Sequence, residues 1–327
     1  MEKENIFEVL SDKIFTDREE VLNYFWELIK EYIPRYVVAN TVLIAHRRQG
    51  KTEIFHRLYN KAFWEQDKVV PIYYTFEEAN FETRNFSNQY FKNFVMQYIA
   101  FKEKNPRYLK RDIDYNDMRE YGKKAGNQGL EEIVERYYSG KHDAWFLKTA
   151  IQGPRIVADL NKERILVMLD EFHNVKRIRN KDGTDPNALG YYQYGVESWI
   201  CPHFINEIVG SGALYGRFHY YRMGGLKPTD GEVLAKKLAK EFGVKIGEGI
   251  GTILSEKVGG NPFYITCVIQ SAKELTKNIY TIEDVDELFC YDVTQGGIWA
   301  EVMNHLANTV LQINEKWVTE QVLEATL

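Results

Sequence analysis

NTVLIAHRRQGKTEIFH, residues 40–56, is the stretch whose reading decides the rest of the chain. Val42-Leu43-Ile44-Ala45 is a short apolar run suited to a buried strand. Past Gly50, the residues Ile54, Phe55, Leu58, Tyr59, Ala62 and Phe63 recur at helical spacing. Between the two, Gly50-Lys51-Thr52 supply the second half of G-x-x-x-x-G-K-[ST], with Ala45 at the first glycine position. Such a loop cradles phosphate with backbone N–H groups at a helix N-terminus, a lysine for the β/γ-phosphates and a hydroxyl for Mg²⁺. Alanine is the smallest replacement for that glycine and fits wherever φ stays negative. A chance match is roughly a one-in-forty event for a chain of this size, and this one also follows a strand and opens a helix. The loop set is therefore Ala45, His46, Arg47, Arg48, Gln49, Gly50, Lys51 and Thr52, with Glu53 behind it.

A second element stands apart from the first. Arg164–Leu169 reads as a strand ending in Asp170-Glu171. An Asp at a neighbouring strand tip suits the water shell of Mg²⁺, and an adjacent Glu suits orienting or deprotonating an attacking water. Val69–Phe76 reads as another strand, with Pro71 placing it near an edge. Residues 79–163 are aromatic, charged and mainly helical in pattern, with breaks at Lys104–Arg111 and Ser139–Asp143, and read as a helical insertion. Ser198–Ile205 is a further strand, and from about Lys227 the pattern becomes helical. Thr16-Asp17-Arg18-Glu19 and Thr281-x-x-Asp284 have capping-box spacing. Strands alternating with helices predict an α/β fold: a parallel sheet over 1–225, then a helical module over 226–327.

Composition narrows the classes. The chain has 327 residues, 44% of them hydrophobic and 14% aromatic, enough for an ordinary core. A net charge of −5 gives no whole-protein attraction to nucleic acid. Cys201, Cys267 and Cys290 are dispersed, without metal or disulfide spacing, which suits a reducing compartment. The charged opening MEKENIFEVLSDK lacks the apolar run of a signal peptide, and no stretch approaches the ~20 apolar residues of a membrane span. These features predict a soluble, cytoplasmic protein.

The choice of nucleotide follows from an absence of pattern. Guanine-reading N-K-x-D has its nearest string in Asn180-Lys181-Asp182-Gly183, which lacks the final Asp, so ATP is the expected nucleotide. A small-molecule kinase is disfavoured, because Glu171 directly after Asp170 suits water better than a bound hydroxyl.

The run FTDREE (Phe15–Glu20), AHRRQGKT, MLDEF (Met168–Phe172), GALYGRF (Gly212–Phe218) and GGNPFYI (Gly259–Ile265) resembles the archaeal-type P-loop ATPases of the STAND and AAA-related group, over roughly residues 15–280. The resemblance implies a parallel sheet flanked by helices, with the helical module over 226–327 as a lid. It implies an ATP-dependent switch or motor coupled to an effector, a protein partner or nucleic acid. It implies Lys51 and Thr52 on phosphate and Mg²⁺, Asp170 as the Mg²⁺-side acid and Glu171 as general base. Phe15 and Arg18 are implied near the adenine, with Pro262 approaching from the lid. The connection from the strand near residue 205 to LYGRF is short for the pattern. Asn206 and Ser211 both remain candidates for the γ-phosphate sensor. Arg217 and Arg222 are candidates for an arginine finger, in cis or from a second copy. A short sensor region leaves open a scaffold that holds ATP or ADP without turnover, and a nucleic-acid loader is the other alternative. Lys176, Arg177, Arg179 and Lys181 read as a solvated basic loop or a contact to a nucleic-acid backbone. Tyr191-Tyr192-Gln193-Tyr194 reads as packing or a partner surface.

Overall fold

The structure is a computed structural model. It describes residues 4–37, 40–76, 81–196, 201, 203–206 and 218–313. Contacts divide the chain into two units. The first holds Met1–Val9, Arg18–His46 and Gly50–Met223, and the second holds Leu10–Asp17, Arg47–Gln49 and Gly224–Leu327.

The first unit is an α/β layer structure. Its strands are β1 (Asn40–Ile44), β2 (Val69–Thr75), β3 (Arg164–Asp170), β4 (His203–Asn206) and β5 (Phe218–Arg222). They form a five-stranded sheet in the order β2-β3-β4-β1-β5, and every pairing is parallel. Flanking helices cover such sheets, so central strands carry apolar residues continuously rather than in alternation. β3 follows that rule and is buried at every position. β2 is an edge strand, which is where a proline without a donor can sit; Pro71 lies level with Leu166. Of the strand expected over Ser198–Ile205, His203–Ile205 belongs to β4 and Cys201 lies in a bend, while residues 198–200 and 202 lie outside the described residues.

Helices α1 (Glu19–Glu27) and α2 (Lys51–Glu65) precede the excursion between β2 and β3. That excursion contains α3 (Thr83–Glu103), α4 (Tyr115–Ala125), α5 (Gln128–Tyr138) and α6 (Asp143–Asn161), and α7 (Ala188–Val196) follows β3. The break between α4 and α5 was not evident from periodicity: Gly126 turns left-handed and the Asn127 side chain caps α5. The expected capping box at Thr16 does not form. The Thr16 hydroxyl donates to Ile14 O, and α1 starts at Glu19, whose carboxylate accepts the Arg18 N–H. Tyr192 is fully buried against Phe76, Tyr90 and Phe172, so packing is its role.

The second unit is helical: α8 (Pro228–Phe242), α9 (Ile250–Lys257), α10 (Pro262–Glu274), α11 (Ile282–Thr294) and α12 (Gly297–Ile313). Leu234, Leu238, Leu254, Ile265, Val268, Val285 and Leu288 form its core, with Ile14 packed on it. Lys237 Nζ donates to Phe15 O and to the Thr16 hydroxyl, which ties Leu10–Asp17 into this unit. The second glycine of GGNP has a steric cause. Gly260 has φ +65°, and a Cβ there would stand 2.2 Å from Leu226 O, where the two backbones hydrogen-bond. Asn261 then caps α10, and Pro262 takes its first position.

Candidate functional site

A parallel sheet places the C-terminal ends of all its strands on one edge, where ligands of open α/β folds bind. β1 leads into the loop at that edge, and β3 ends there in Asp170. One strand, β4, lies between them: Leu43 is level with Asn206, and Leu169 with Ile205. With neighbouring strands about 4.8 Å apart, the two strand tips are about 10 Å apart. The two sequence elements, 119 positions apart in the chain, thus meet at one edge of the first unit.

The loop leaves β1 at Ala45 and turns through left-handed residues Arg48 (φ +59°) and Gly50 (φ +90°) before α2 begins at Lys51. Its N-cap residue is Gly50, which has no side chain with which to cap α2. A helix start of this kind presents backbone donors and the positive end of the dipole to an anion. Lys51 is mostly buried, and its ammonium donates to Ala45 O at 3.1 Å and to His46 O at 3.4 Å. Thr52 is exposed at the second position of α2. Glu53 accepts from Arg57 one turn along at 2.7 Å, so its charge is balanced on the helix itself.

Arg47–Gln49 group with the second unit, where Arg47 and Arg48 have partners. Arg48 pairs with Glu301 at 2.6 Å and stands over the Phe263 ring. The hydrogen bond from Arg48 holds the Glu301 carboxyl below its usual range. Arg47 donates to His305 Nδ1 at 2.7 Å, and Asn261 Nδ2 donates to Arg47 O.

Asp170 is buried at the tip of β3. Its Oδ1 accepts the Glu171 N–H at 2.9 Å, and its Oδ2 accepts the Tyr73 hydroxyl at 2.9 Å. Glu171 adopts the left-handed region (φ +52°), which ends the strand and starts a 3₁₀ turn over Phe172–Arg177. Its Oε2 stands 3.6 Å from His173 Nδ1. Arg18 is mostly buried at the start of α1. The basic run after β3 is partly engaged: Arg177 covers the Phe81 ring, and Arg179 donates to Lys176 O and Ile178 O. Arg222 is exposed at the end of β5. Asn206 ends β4, and only its backbone is described; Ser211 and Arg217 lie outside the described residues.

Thr52 and Asp170 supply a hydroxyl and a carboxylate, the hard oxygen donors that suit Mg²⁺. The carboxylate is already oriented by two donors, so the residues present fit that ion. Tyr73 belongs to no sequence motif. Its approach to Asp170 follows from the pairing of β2 with β3, which local periodicity does not encode.

No protein-family model matches the chain, and no curated protein matches it. Among solved structures, it is similar to a point variant of Thermotoga maritima RuvB at 12% identity and a TM-score of 0.41, covering 84% of this chain and 69% of that one. It is similar to a chain of Drosophila ORC bound to DNA at 10% identity and a TM-score of 0.46, covering 88% and 63%. It is also similar to the Aeropyrum pernix ORC2 protein in ADPNP-ADP complexes at 11% identity and a TM-score of 0.45, covering 91% and 73%. At such identities and scores, nothing about the activity of this chain follows from these neighbours. Among the described residues, no helix is long and apolar enough to cross a membrane.

Proposed function

We propose that this chain binds ATP with Mg²⁺ and hydrolyses it as a nucleotide-dependent switch. The observation that carries the reading is the shared sheet edge. The loop Ala45–Thr52, with left-handed Gly50 leading into α2, ends on the same side of a parallel sheet as Asp170-Glu171. Lys51 holds the loop carbonyls through its ammonium, and a triphosphate would draw that ammonium onto its β and γ oxygens. Thr52 and Asp170 would hold Mg²⁺, which supplies charge compensation for the phosphates when bound. Glu171 is the side chain for orienting and deprotonating water, and its left-handed backbone turns the chain away at the strand tip. Phe15, Arg18 and Pro262 are the residues proposed for the adenine. Coupling to a protein partner, an effector or a second copy is the proposed output of the switch.

The test is Mg²⁺-dependent ATP turnover and ATP binding by the wild type and by Glu171→Gln. Loss of at least about a hundredfold in turnover, with binding retained, supports hydrolysis with Glu171 as base. Binding by both proteins with turnover by neither favours a nucleotide-holding scaffold. Binding by neither overturns the proposal.

A further inference from the structure

Tyr73 has more contacts than an edge-strand residue needs. It lies level with Met168 on β3, and Asp170 is two positions further along that strand, on the same face. A tyrosine is long enough to reach this diagonal neighbour. Its hydroxyl donates to Asp170 Oδ2 at 2.9 Å, with both residues nearly excluded from solvent. The ring is held by the edge of Phe7 at 4.8 Å and by His56 at 5.0 Å between centroids.

The backbone beneath the ring is fixed as well. As β2 is an edge strand, its outer N–H and C=O groups have no neighbouring strand among the described residues. At Tyr73 the side-chain amide of Gln97, on α3, takes that place. Gln97 Oε1 accepts the Tyr73 N–H at 2.8 Å, and Gln97 Nε2 donates to Tyr73 O at 2.7 Å. The phenol is thus anchored through both its main chain and its ring, while its hydroxyl meets the carboxylate.

We infer that Tyr73 is a positioning residue for the cation-side carboxylate, fixing the orientation in which Asp170 meets the water shell of Mg²⁺. The inference rests on the proposed role of Asp170. An ionised carboxylate has about four lone-pair directions. The Glu171 N–H takes one at Oδ1 and the Tyr73 hydroxyl takes one at Oδ2, which sets the plane of the group. A charge-assisted hydrogen bond of this kind holds one carboxylate orientation at no reorganisation cost when the cation arrives. Removing an outer partner of a metal ligand typically weakens metal binding 10- to 100-fold. Through Gln97, the helices between β2 and β3 are connected to this carboxylate.

The experiment uses the full chain and Tyr73→Phe, which keeps the ring and removes only the hydroxyl. Two quantities are measured: Mn²⁺ affinity by electron paramagnetic resonance in the presence of ADP, and ADP affinity in EDTA. A loss of about 10- to 100-fold in Mn²⁺ affinity, with metal-free ADP binding unchanged, is the expected result. Equal Mn²⁺ affinity in variant and wild type overturns the inference, as does a parallel loss of metal-free ADP binding, which marks a packing role only. If Tyr73→Phe does not fold, Gln97→Met carries the test by untying the strand beneath an intact phenol. A loss of a few fold in Mn²⁺ affinity alone then supports positioning, and wild-type affinity overturns it. A wild type that binds ADP in EDTA but no Mn²⁺ overturns the role of Asp170 and this inference with it. A wild type that binds no nucleotide overturns the proposed function itself.

Discussion

Two helix starts in this chain solve the same problem in opposite ways. Every α-helix begins with four backbone donors that lack intrahelical partners. At α11 the chain satisfies its own: the Thr281 side chain accepts from Asp284 N–H, and the Asp284 carboxylate accepts from the Tyr280 and Thr281 N–H groups. At α2 the N-cap residue is a left-handed glycine, Gly50, which has no side chain for that service, and Lys51 is turned onto the loop carbonyls. The comparison separates stability from function. α11 uses its own side chains to hold its first turn, whereas under the proposed function the first turn of α2 receives a phosphate.

The largest effect expected from disturbing this contrast is at Lys51. Lys51→Ala removes a charge-assisted donor to phosphate, and a bond of that class contributes about 1.5–3 kcal/mol, or roughly 10- to 150-fold in affinity. Isothermal titration with ATP checks this, and an unchanged affinity would mean that α2 is no phosphate site. Next comes Gly50→Ala. A Cβ there meets no atom within 4 Å, so the penalty is conformational alone. Holding an L-residue at φ +90° costs about 1–2 kcal/mol, and ATP affinity should fall by roughly 5- to 30-fold if the loop shifts to relieve it.

The smallest effects belong to α11, and they should leave ATP binding alone. Thr281→Ala should lower the local stability of α11 by about 1 kcal/mol, read by hydrogen exchange of its first-turn amides. Its partner Asp284 gives a dependence on pH. Backbone hydrogen bonds from Tyr280 and Thr281 lower its pKa to about 2, below the ordinary carboxylate range. The folded state therefore binds this proton less readily than the unfolded state. The stabilisation is complete above about pH 4 and is lost as pH falls toward 2. Asp284→Asn should flatten the exchange rates of α11 across that window. An acid dependence that survives the substitution would refute this assignment.

The loop and the strand ending in Asp170-Glu171 were legible because each depends on neighbours in sequence. Apolar spacing marks strand and helix, and only a residue tolerant of positive φ fits where Gly50 stands. Thr281-x-x-Asp284 was legible for the same reason. Thr16-Asp17-Arg18-Glu19 has similar spacing and misled, because the Thr16 hydroxyl is engaged by Ile14 O and Lys237. Competition from Lys237, 221 residues away, is invisible to a local motif.

By itself the sequence determined the phosphate-loop pattern, the acidic strand tip, the helical character of residues 79–163 and the capping of α11. All of these arise from spacing and from side chains within a few residues of each other. The tertiary structure alone decided that β4 separates the loop strand from the acidic strand. It also decided that Gln97 closes the edge of β2 and that Tyr73 reaches Asp170. Strand order and register arise from pairings between distant segments, and Tyr73 and Asp170, 97 positions apart, carry no local signal of their meeting.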